Sequence, residues 1–147
     1  KTGVRTFEAA SFLRRLGADT VEIKKIFSNN LENYIAKAEI IKSAKVENKI
    51  AIAVCPENIT DTVVAAQAAD ELLNITGIQA SFVLIKLGED VAISARSLGD
   101  INVQVILEEL GGGGHMTMAG AKIKDATIDE AIEKIKEAIA KNSREGE

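Results

Sequence analysis

Gly111-Gly112-Gly113-Gly114-His115, running on into Met116-Thr117-Met118-Ala119-Gly120-Ala121, is the stretch best suited to chemistry. Four successive glycines cost more backbone entropy on folding than any other tetrapeptide. One glycine is enough to end the helix expected just before them. The others offer bare N–H groups that can wrap an anion, and His115, the only histidine, adds a ring donor whose charged form is favoured beside a phosphate. The stretch is therefore expected to be a phosphate-binding loop. From local chemistry alone, a plain exit loop with a histidine beside it fits as well. It is not a Walker A loop, because no Lys-Ser or Lys-Thr follows. Nor is it a dinucleotide fingerprint, because a helix leads into the glycines rather than out of them.

Ser94, Arg96 and Ser97 form the second group. An Arg fork matches phosphate geometry bidentately, and flanking hydroxyls can meet the remaining oxygens. The commoner arrangement is a strand arginine paired with a surface carboxylate. No metal centre is expected: a second histidine is lacking, the single Cys55 is too few, and the Asp and Glu residues show no ligand spacing. Cys55, beside the only proline, reads as a buried thiol. Glu108, Glu109, Glu130, Glu133 and Glu137 read as solvated helix faces.

The elements that position these groups follow from periodicity. The 147 residues suit one domain, or one with a piece of another. Helices are expected over Phe7 to Leu16, from Val21 to about Phe27, and after Ser28 with Leu31, Ile35, Ala38 and Ile41 on one face. Ile50 to Cys55 is a continuous apolar run, a buried strand. Asn58 or Thr60 caps a helix from Asp61 to about Leu73, whose alanines allow close approach to a sheet. Strands follow at Ala80 to Leu87 and Val91 to Ser97, joined by a turn at Gly88-Glu89-Asp90. In the second of these, Val91, Ile93 and Ala95 face the core and Ser94 and Arg96 share the other face. Asn102 caps a short helix with Val103, Ile106, Leu107 and Leu110 as its stripe. A last strand spans Ala119 to Ile123. Thr127 and Glu130 form a capping box for a helix with Ile128, Ile132, Ile135 and Ile139 on one side. The order predicts an α/β fold bordering on α+β. Its mixed sheet has four or five strands flanked by helices and preceded by a helical connector.

The chain is 46% hydrophobic and 27% charged with a net charge of −4, and its pI is near 5.2. Aromatics are 3%. A general nucleic-acid binder wants a basic face and stacking rings, so this composition disfavours one. One cysteine fits a reducing cytoplasm. The opening Lys1-Thr2-Gly3 reads as the start of a piece of a longer protein.

Gly112-Gly113-Gly114-His115 with Ala119-Gly120, and the Ser94-Ala95-Arg96-Ser97 strand one short helix upstream, resembles the DHH-associated domain, the C-terminal half of DHH-family phosphoesterases. The string from Gly111 to Ala121 is most similar to the version in GdpP-type (YybT-type) cyclic di-AMP phosphodiesterases. Lys1 to Ala10, Leu13-Arg14-Arg15 and Gly17-Ala18-Asp19 resemble the end of the catalytic DHH domain. The resemblance implies a boundary near residue 45, with 1–45 as the DHH tail plus connector and 46–147 as the substrate-binding domain. It implies that Gly112, Gly113, Gly114 and His115 hold a phosphate, and that Arg96, Ser94 and Ser97 contact a cyclic di-AMP or linear dinucleotide substrate. Two manganese ions would sit in a DHH domain upstream in cis. The DHH tripeptide is missing here, so this chain is expected to hold no catalytic metal and to hydrolyse nothing alone. The resemblance also implies a cytoplasmic domain in a membrane-anchored parent, and leaves a homodimer open. Two other readings stand beside it: a nucleic-acid module, as in single-strand exonucleases, nanoRNase-like proteins and alanyl-tRNA synthetase, and a ferredoxin-like regulatory or dimerising module.

Overall fold

The structure, a computed structural model, describes residues 31–145. The chain divides into two compact units, Lys1–Tyr34 and Ile35–Glu147. The helices expected before residue 28, and the opening segment of the resemblance, lie outside the described residues.

Helix α1 (Leu31–Lys42) leads into a hairpin of β1 (Lys45–Glu47) and β2 (Ile50–Val54). Asn48 and Lys49 both take positive φ, 52° and 67°, the conformation of a two-residue type I′ hairpin turn. Then come α2 (Thr62–Leu72), β3 (Ala80–Leu87), β4 (Asp90–Ser97), α3 (Val103–Glu108), β5 (Gly113–His115), β6 (Met118–Ile123) and α4 (Ile128–Glu145). The six strands form one sheet in the order β1-β2-β3-β4-β6-β5. Among the described residues only β2 and β3 run parallel, joined through α2; every other neighbouring pair is antiparallel. The expected mixed α/β sheet is there, with two short edge strands, β1 and β5, that the sequence pattern did not announce.

Both faces of the sheet carry helices, in keeping with the near-continuous burial of β3. On one face Phe82, Leu84, Val91, Ile93 and Ala95 pack with Val103, Ile106 and Leu107 of α3 and Ala131, Ile135 and Ala138 of α4. On the other, Ala51, Ala53, Val83 and Ile85 pack with Ile40 of α1 and Val64, Ala65, Ala68, Ala69 and Leu72 of α2.

Capping falls one residue from expectation at α2. Asp61 is the N-cap, and its carboxylate accepts the Val63 N–H at 2.9 Å. Asn102 caps α3 as expected. Thr127 Oγ1 accepts the Glu130 N–H at 3.1 Å ahead of α4. The α1 stripe is rotated from the expected one: Ile35 and Ala38 are exposed, whereas Ile40 is buried and Ala36 and Ile41 pack beside it. Among the described residues no helix is long and apolar enough to cross a membrane.

Candidate functional site: a cross-strand row that emerges from under a helix

Alternation along β4 decides where the chemistry can gather. Val91, Ile93, Ala95 and Ser97 are buried, and Ala92, Ser94 and Arg96 point the opposite way. Ser94 and Arg96 therefore share the α2 face of the sheet. Ser97 lies on the other face, where its Oγ accepts the Gly99 N–H at 3.2 Å.

Arg96 is paired with Ser81 of β3 on one side and Met118 of β6 on the other, and Met118 is paired in turn with His115 of β5. Directly paired residues point to the same face, so Ser81, Arg96, Met118 and His115 form one row. It begins under α2, where Ser81 is fully buried and its hydroxyl donates to Ala69 O at 2.7 Å. Ala65, Ala68 and Ala69 bring the helix that close. The row then leaves the cover of α2. The Arg96 side chain is 13% exposed, Met118 is 53% exposed, and His115 is open at the edge. Two strand spacings put the Arg96 and His115 Cα atoms about 10 Å apart. The structure thus brings the glycine stretch and the arginine strand together on one face.

The arginine is held rather than free. Arg96 Nε–H donates to Asp70 Oδ1 at 3.0 Å and Nη1 donates to Ala95 O at 2.9 Å. Of the five guanidinium N–H groups, three are left, including both on Nη2. Asp70 and Glu71 stand in the last turn of α2, which carries no basic residue. A carboxylate there faces the negative end of the helix dipole. Each is offset by a cation from outside the helix: Asp70 by Arg96, and Glu71 by the buried Lys37 at 3.6 Å. Asp70 is the neighbour that sequence reasoning missed. The cue was an Asp-Glu pair closing an alanine-rich helix with no basic residue to offset it.

The glycines divide by function. Gly111 takes φ +82° and closes α3. Its N–H donates to Glu108 O, and the Gly112 N–H donates to Leu107 O at 2.8 Å, the paired bonds of a Schellman cap. A Cβ on Gly112 would run into Gly120 O and the Ala121 side chain, and one on Gly114 would meet Met118 O at 2.5 Å. Both positions are glycine because β6 passes so close. Gly113 differs: a Cβ there would meet nothing within 4 Å. It pairs with Gly120, which pairs with Ser94, so this second row of the open face carries one hydroxyl and two bare backbones. The expected loop is therefore mostly a cap and an edge strand, and two of its N–H groups are already spent in the cap.

His115 Nδ1 lies 3.4 Å from the Thr117 backbone N–H, which donates to it, and 3.3 Å from Thr117 Oγ1. An accepting Nδ1 puts the ring proton of the neutral imidazole on Nε2. The face can thus present Nη2 of Arg96, Nε2 of His115 and the Ser94 hydroxyl to an anion. No group of three His, Cys, Asp or Glu side chains converges among the described residues, and those at the row, Asp70 and His115, do not fit a pair of manganese ions. Cys55 is the buried thiol expected, and loss of solvent pushes its thiol up to about 12.

Residues 47–141 match the DHHA1 domain family. The chain is 52% identical over 142 residues to the cyclic-di-AMP phosphodiesterase GdpP of Geobacillus thermodenitrificans, covering 95% of this chain and 22% of that protein. It is 46% identical over 144 residues to the protein of the same name from Bacillus subtilis, again covering 95% and 22%. The chain spans about a fifth of the length of these curated relatives. A solved exopolyphosphatase-related protein from Bacteroides fragilis superposes with a TM-score of 0.72 at 20% identity, over 95% of this chain and 44% of that one.

Proposed function

The chain belongs to the DHHA1 domain family, and on that footing we propose that it is the substrate-holding part of a metal-dependent phosphodiesterase acting on cyclic di-AMP or its linear dinucleotide. The observation that carries the reading is the single row that puts Arg96 and His115 on the same face of the sheet, with exposure rising from Arg96 towards the His115 edge. Arg96 gives a phosphate the Nη2 edge of a guanidinium already fixed by Asp70. His115 gives Nε2–H from the far side, and Ser94 a hydroxyl from the neighbouring row. The bare backbones of Gly113 and Gly120 let the ligand come close to the strands. Gly112 and Gly114 act indirectly, by letting β5 lie against β6. Ser97 supports the end of β4 from the opposite face.

Water activation by two manganese ions belongs, in this reading, to a DHH domain elsewhere in the parent. The chain alone binds and presents the phosphodiester and does not cleave it. The parent is a membrane-anchored protein with this domain on the cytoplasmic side. The test is calorimetric titration with the linear dinucleotide pApA, cyclic di-AMP and AMP, in low salt with EDTA. Saturable binding that is lost in both Arg96→Ala and His115→Ala is expected. A folded wild-type chain that binds none of the three would overturn the proposal.

A further inference from the structure

Between the two donors of the row stands a side chain that a phosphate cannot use. Met118 is 53% exposed on a strand whose alternate residues, Ala119 and Ile123, are buried on the opposite face. The fold makes no use of its apolar character: it belongs to neither core cluster, and a polar residue would serve as well at an exposed position. A thioether is soft and polarisable, and its favourable partner is an aromatic ring. Its same-face neighbour two residues on is Gly120, and the residue paired with Gly120 on β5 is Gly113. Neither raises a side chain that would block a flat group lying over the strands. The row has no Phe, Tyr or Trp of its own.

We propose that Met118 is a nucleobase-contact residue, making this a site for a nucleoside 5′-phosphate rather than for phosphate alone. The inference rests on the phosphate-holding role of Arg96 and His115. With the phosphate between those two side chains, the base lies flat against the Met118 thioether, over the bare backbones of Gly113 and Gly120. Contact of this kind recognises the ring face, so it favours nucleotides over sugar phosphates.

The chain has two methionines, so methyl-13C labelling of methionine gives a two-signal spectrum, assigned with Met118→Leu. AMP, ribose 5-phosphate and inorganic phosphate are titrated in turn. AMP is expected to move the Met118 methyl signal upfield, saturably, through the ring current of the base. Ribose 5-phosphate is expected to leave it in place, and the Met116 signal serves as the control. Met118→Ala should weaken AMP about 2- to 10-fold, the range of a sulfur–aromatic contact, with ribose 5-phosphate unchanged. If AMP and ribose 5-phosphate bind wild type equally and the methyl signal stays still, the base contact is wrong and the phosphate reading stands. If neither binds, the phosphate reading fails and takes this inference with it.

Discussion

Asp70 Oδ1 accepts the Nε–H of Arg96 at 3.0 Å, on the guanidinium edge that Nε–H shares with one of the two Nη2 hydrogens. The carboxylate therefore fixes the fork from its Nε edge and leaves the outer end of the fork for a phosphate to meet. Arg96 in turn offsets the negative charge of Asp70, which α2 itself does not favour at its C-terminal turn.

Arg96→Ala is expected to weaken dinucleotide binding by about 1.5–3 kcal/mol, the range for hydrogen bonds to charged groups. Asp70→Ala is expected to weaken it by about 0.2–1 kcal/mol, because the Asp70 side of the pair is half exposed. In the Arg96→Ala background, Asp70→Ala should change nothing further, and calorimetry on the four proteins of this double-mutant cycle measures that coupling. Tighter binding in Asp70→Ala alone would mean that the carboxylate competes with the ligand.

Glycine substitutions should separate packing from binding. Gly112→Ala and Gly114→Ala each place a methyl group against β6, and are expected to cost about 1–3 kcal/mol of stability in urea unfolding, as overpacking does. Gly113→Ala meets open space, so its stability should hold or rise slightly while dinucleotide affinity falls. Equal stability losses at all three positions would remove Gly113 from the ligand surface.

The two serines of β4 are expected to differ for the same kind of reason. Ser94→Ala should weaken dinucleotide binding by about 0.5–1.5 kcal/mol with little change in stability. Ser97→Ala should leave affinity alone and lower the melting temperature, because its buried hydroxyl holds the Gly99 N–H. A reversed pattern would place the ligand on the α3 face.

Cys55 sets an alkaline limit. Burial raises its thiol from 9.0 to about 12. Between those values the unfolded chain ionises while the folded chain stays neutral, so unfolding releases a proton. The stabilisation is complete below pH 9.0 and is lost progressively as pH rises towards about 12. Urea midpoints across that window should fall more steeply in wild type than in Cys55→Ala. A thiol reagent at pH 8 should label Cys55 only as fast as the chain opens.

Much of the sheet could be read directly from the chain. The Ala80–Leu87 strand, the Asn102 cap and the facing of Ser94 and Arg96 follow from apolar runs, local caps and a period of two, all of them short-range signals. Alternation also held the answer for Ser97, one residue out of phase with Arg96. β1 escaped notice because Lys45-Val46-Glu47 is too short and too charged to read as a strand, and β5 because glycine is depleted in strands. The separate reasons for Gly111, Gly112 and Gly114 depend on where β6 passes, and the Asp70–Arg96 pair depends on the β2-α2-β3 crossover that lays α2 beside β4. The first leaves no mark in the neighbouring residues, and the second leaves only the Asp70-Glu71 pair with no basic residue beside it in α2.

Among the described residues β5 is bound to the sheet through β6 alone, over three residues, and has no strand on its outer side. It can detach without disturbing any other ladder, so its backbone amides should exchange with solvent through a local opening that costs far less than global unfolding. Each opening carries His115 away from Arg96. The affinity of the row is then its closed-state affinity scaled by the fraction of time β5 is seated. A bound ligand, in turn, should slow amide exchange in Gly113–His115 more than in β3 or β4.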